Sequence, residues 1–87
     1  MVMTELQEYI YLCEDIAKLK DIKYGQYTID QLLEMLGDRF VELHYYLAAK
    51  ANKWDCEIRF SDDADFIRAG QSARIALAKA VKEVHNA

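Results

Sequence analysis

The chain has 87 residues, 53% of them apolar, with no proline and only three glycines. That supports one domain with a real core and excludes collagen-like, proline-rich and low-complexity classes. Eleven basic against fifteen acidic residues give a net charge of −4, which disfavours a protein that coats duplex nucleic acid.

The scarcity of turn residues points to an all-α fold, and the elements can be read in chain order. Thr4-Glu5-Leu6-Gln7 has the form of a capping box, in which the hydroxyl accepts from the third amide and Gln7 reaches back. It opens a helix over 4–20 with Leu6, Tyr9, Ile10, Cys13, Ile16 and Ala17 on one face. Residues 21–27 connect, and Gly25 is expected to supply a positive φ there. Thr28-Ile29-Asp30-Gln31 repeats the capping signature. Ile29, Leu33, Leu36, Phe40, Leu43 and Leu47 then follow at alternating spacings of four and three, which predicts one long helix over 29–53 with Gly37-Asp38 as its weak point.

Residues 54–60 change period. Trp54, Cys56, Ile58 and Phe60 alternate with Asp55, Glu57 and Arg59, as in a strand. A single strand has no partner in an otherwise helical chain, so the segment reads as an extended connector. Ser61-Asp62-Asp63-Ala64-Asp65 suits the start of a last helix over 63–85, whose seam is Phe66, Gly70, Ala73, Leu77, Ala80 and Val84. The expected architecture is a short N-terminal helix on an antiparallel hairpin of two long helices, in one domain over 1–87. Leu12, Leu19, Val41, Tyr45 and Ile67 fall off these seams and predict self-association.

The reactive residues are sparse. Cys13 and Cys56 form no CxxC and no ligand spacing with His44 or His85, so they read as reduced thiols of a cytoplasmic protein. No basic leader region and no apolar run near ~20 residues is visible. Asp62, Asp63 and Asp65 lack the glycine and distal glutamate of a calcium loop, and no glycine-rich phosphate loop occurs. The expectation is a protein that is not an enzyme and takes no cofactor or metal.

Six tyrosines are many for this length. Tyr11, Tyr24 and Tyr27 lie off the core seams, and Tyr45-Tyr46 cannot both face inward. Such rings suit a protein interface or stacking on a base. Charge is also uneven. Residues 66–87 are net +3 through Arg68, Arg74, Lys79 and Lys82 against Glu83, and residues 1–65 are net −7. Arg74 projects into an apolar arc and must snorkel, pair with a carboxylate or meet a bound anion. Arg68, Lys79 and Lys82 group on another side, as a solvated face or an anion-binding stripe.

Phe66-Ile67-Arg68-Ala69-Gly70-Gln71-Ser72 and Ala76-Leu77-Ala78-Lys79-Ala80-Val81 resemble two runs in the small phage proteins that sequester cyclic dinucleotides to blunt CBASS immunity. The gap between the runs is about one helical turn short of that family's pattern. The resemblance implies a helical hairpin assembled as a hexamer, with ligand pockets between protomers in the host cytoplasm. It further implies phosphate contacts from Arg68 or Arg74 and stacking from a tyrosine such as Tyr11, with Lys23 and Thr28 completing the candidate ligand-binding set. The alternative is an inhibitor or adaptor that docks on a host protein, its acidic first 65 residues and exposed tyrosines meeting a basic surface.

Overall fold

A computed structural model describes residues 3–48, 51–62 and 64–86. The order of elements is α1 (Glu5–Lys20), α2 (Ile29–Leu36), a 3-10 turn (Gly37–Arg39), β1 (Phe40–Tyr45), β2 (Trp54–Ser61), β3 (Ala64–Gly70) and α3 (Ala73–His85). The three strands form one antiparallel sheet in the order β1-β2-β3. The fold is therefore α+β, and the expected all-α hairpin is overturned.

Both capping boxes form. The Thr4 and Thr28 hydroxyls accept from the Gln7 and Gln31 amides, and each glutamine side chain accepts from the amide of its threonine. The α1 helix ends at Asp21, which takes the left-handed conformation (φ 53°) and donates its amide to the last-turn carbonyls. The positive φ expected at Gly25 thus belongs to Asp21.

The long second helix stops after eight residues. Gly37 has φ 55° and ψ −130°, a conformation open to glycine and costly for other residues, and it turns the chain out of the helix. Phe40, Val41, Leu43 and Tyr45 then serve a strand, where β-branched and aromatic side chains pack well. The expected last helix is shortened from the other end. Residues 64–70 form β3, and Ser72, not the Ser61–Asp65 run, caps α3 by accepting from the Ile75 amide. Residues 49, 50 and 63 of the two expected helices lie outside the described residues.

The alternation in 54–60 is that of the central strand. β2 pairs with β1 through Leu43↔Cys56 and Tyr45↔Trp54, and with β3 through Cys56↔Arg68 and Ile58↔Phe66. The α3 helix packs on β2 and β3, and α1 and α2 pack on α3. Ile75, Ala76, Leu77 and Ala78 are all fully buried, and four successive helical residues point around most of the circumference. This explains the small residues of α3: alanines let the sheet and two helices approach it together. Tyr9, Cys13 and Ile16 from α1, Leu32 and Leu36 from α2, and Cys56 and Ile58 from β2 complete the core.

Candidate functional site

The face of the sheet turned away from the helices carries a group of carboxylates that no lysine or arginine neutralises among the described residues. Trp54, Cys56, Ile58 and Phe60 point inward along β2, so Asp55, Glu57 and Arg59 point outward. Lys53 extends the outward row, because its carbonyl accepts from the Tyr46 amide and continues the ladder. The row thus has cations at its ends and two carboxylates at its centre.

Register fixes the neighbours. Glu57 stands directly opposite Glu42 on β1 and Ile67 on β3, and Asp55 stands opposite His44 and Ala69. Like charges directly opposite across a ladder are destabilising, by roughly 0.2–1 kcal/mol. Arg59 is drawn to Asp65 at 3.9 Å, and Glu42 meets only the imidazole of His44, at 2.6 Å. Among the described residues no lysine or arginine forms an ion pair with Glu42, Asp55 or Glu57. Ile67, 55% exposed, gives this acidic patch an apolar margin.

Arg68 from β3 and Lys79 and Lys82 from α3 converge on a groove of about 290 Å³ that Leu12, Glu83 and Asn86 also line, and not along one helix face as expected. Each cation there has a carboxylate: Arg68 with Glu83 at 2.8 Å, Lys79 with Glu8 at 3.4 Å, and Lys82 with Asp15 at 2.9 Å. Arg74 takes no part in this groove. Its Nε donates to Glu5 at 2.7 Å, its Nη2 donates to the other Glu5 oxygen, and its guanidinium lies 4.2 Å from the centre of the Tyr9 ring. Ser72 donates to the same carboxylate at 2.6 Å. The Arg74 bonds, foremost, hold the Glu5 carboxyl below its ordinary range, and the carboxylate in turn raises Arg74. Of the three expectations for Arg74, the ion pair is the one realised.

The five candidate ligand residues are not brought together. Arg68 engages the last turns of α3 and Arg74 the first, about 13 Å apart along the helix axis. Tyr11 is 57% exposed on α1, about one turn from Glu8 and from Asp15, and does not line the groove. Lys23 is in the α1–α2 connection, where its carbonyl accepts from the Tyr27 hydroxyl, and Thr28 is committed to capping α2. Tyr24, Tyr45 and Tyr46 are exposed, but Tyr27 is buried and its carbonyl accepts from the Tyr9 hydroxyl.

Both thiols are buried and unpaired, and burial pushes Cys56 up to about 12. No group of three or more metal-ligating side chains exists among the described residues, and none of the helices described is long and apolar enough to cross a membrane. The outward carboxylate row went unrecognised as a site at the level of sequence. Its signal was present: Asp55, Glu57 and Arg59 are the polar half of the alternation. No protein-family model matches the chain, and neither does any curated protein or solved structure.

Proposed function

We propose that this chain is a non-catalytic docking protein that presents the outer face of its sheet to a basic surface of a partner protein. The observation that carries this reading is Glu42 set directly opposite Glu57 with Asp55 beside them, and no lysine or arginine ion-paired to any of the three among the described residues. A fold that keeps like charges adjacent bears a stability cost that a cationic partner would relieve.

The test is affinity capture from lysate at low and high salt, with two charge-matched double variants. Asp55→Asn/Glu57→Gln removes the centre of the face, and Glu34→Gln/Asp38→Asn removes two exposed carboxylates elsewhere. A partner lost with the first variant and at high salt, but kept by the second, supports docking through this face. Capture that survives the first variant overturns it.

The groove gives a second reading. Three cations line one concavity, each ion-paired to a carboxylate that a phosphodiester would have to displace, and on that exchange the groove would sequester a cyclic dinucleotide. Calorimetry with a panel of cyclic dinucleotides decides it: heat that disappears in Arg68→Met supports this reading, and no heat with the unmodified protein ends it.

A further inference from the structure

The two edges of the sheet are treated differently. The Tyr46 amide bonds the Lys53 carbonyl, so residues 42, 44 and 46 turn their main-chain groups toward β2 and residues 43 and 45 turn theirs away. By the same alternation, residues 65, 67 and 69 point outward from β3. Two of the outward β3 carbonyls are occupied, next to the start of α3: Ile67 accepts from Arg68 Nη1 at 3.0 Å and Ala69 accepts from Lys79 Nζ at 2.9 Å. On β1, no side chain among the described residues bonds the main chain of Leu43 or Tyr45. The open edge is also apolar: Tyr45, Tyr46 and Leu47 are exposed along and just beyond it, and Val41 at the bulge where its regular register ends. Open, apolar strand edges are templates for pairing with another strand.

We propose that a second copy of this chain occupies the edge, β1 pairing antiparallel with β1 about a two-fold axis at Leu43, to make one six-stranded sheet. Of the neighbouring registers, this is the one that gives both copies of Glu42 an imidazole partner across the axis. Keeping the helix-facing sides of both sheets together requires residues of equal parity to oppose one another. The axis at Leu43 places Glu42 opposite His44 of the second copy, twice, and apolar Leu43 opposite itself. An axis at Glu42 would set two carboxylates face to face. The inference goes beyond docking, which uses the face of the sheet and not its edge.

The two groups that set the register are about half exposed, with side-chain accessibilities of 50% for Glu42 and 45% for His44, so both can be changed without touching the core. Light scattering on the full chain should return about twice the 10.1 kDa protomer mass. Glu42→Lys and His44→Glu, each folded by circular dichroism, should each run as monomers, because the first sets lysine against histidine with no carboxylate left to pair them and the second sets two carboxylates face to face. Mixed in equal amounts they should dimerise, since Lys then faces Glu and His faces Glu across the axis. A monomeric unmodified protein at hundreds of micromolar, dimers in both single variants, or no association on mixing would each overturn the proposal. Asp55→Asn/Glu57→Gln should leave the mass unchanged, which separates failure of docking from failure of dimerisation.

Discussion

Gly70, the last residue of β3, lies against the start of α3 so closely that a Cβ there would sit 2.5 Å from the Ala76 amide nitrogen and 2.7 Å from the Ile75 Cγ2. The strand can hand the chain to the helix only because this position has no side chain.

Gly70→Ala should therefore destabilise the protein strongly. The clash is with main chain and with a fully buried isoleucine, neither of which can swing aside. Overpacking of this kind costs about 1–3 kcal/mol. In a chain of this size each kcal/mol lowers Tm by about 4–8 °C. A thermal melt checks it, and an unchanged Tm would mean that β3 and α3 do not meet at Gly70.

Gly70 also shows why the sequence was only partly legible. Spacings of four and three connect Phe66, Gly70, Ala73, Leu77, Ala80 and Val84, yet the first two are in a strand and the rest in a helix. The same holds for Leu36, Phe40 and Leu43, which keep helical spacing across Gly37 although the helix ends there. With apolar residues at 40, 41, 43, 45, 46 and 47, this segment satisfies either template, and tertiary pairing decides. What local chemistry determines was readable: α1, both capping boxes and the alternation of 54–60, although that segment read as a connector; Arg68, Lys79 and Lys82 were grouped on one helix face, whereas a strand and a helix bring them together. The partners of the 54–60 strand were not readable, because they were hidden inside two apparent helices, and so the acidic face they build with it was missed.

The Glu5–Arg74 pair gives a pH-dependent prediction. Glu5 is held below its ordinary value of 4.5, foremost by the Arg74 hydrogen bonds. A carboxyl lowered by folding adds stability above its unfolded value and loses it as pH falls through its folded value. Both side chains remain about one-third exposed, so the contribution is small, about 1 kcal/mol. Arg74→Met should lower stability by that amount at neutral pH and flatten the decline below the ordinary range of Glu5. Urea unfolding across acid pH checks both, and a parallel downward shift at every pH would show that only packing on Tyr9 was lost.

Alkaline pH acts through the core. Burial raises Tyr9, Tyr27 and Cys56, the last to about 12 from an ordinary 9.0. Acids whose folded values are raised add stability below their unfolded values and lose it as pH climbs toward the folded ones. Stability should fall from about pH 9 upward. At pH 8 a thiol reagent should label Cys13 and Cys56 no faster than the protein opens, since both are fully buried. Fast labelling of either before unfolding, followed by mass, would contradict the packing of α1 or β2 against α3.

The two remaining glycines separate conformation from contact. Nothing lies within 4 Å of a Cβ built on Gly25 or Gly37, so neither substitution meets a clash. Only Gly37 has a positive φ, 55° with ψ −130°, where side chains other than glycine are strained. Gly37→Ala should cost about 1–3 kcal/mol for holding alanine in that conformation. If the chain escapes the strain by extending α2 into residues 38–45, it must also strip β1 from the sheet, and helical circular dichroism would rise as stability falls. Gly25→Ala should be neutral or stabilising by about 0.4–1 kcal/mol, since it narrows the unfolded ensemble at no contact cost. Chemical unfolding of the two variants side by side checks the contrast. Equal effects at both positions would mean that the turn after α2 does not depend on glycine, and that some other feature ends the helix at Leu36.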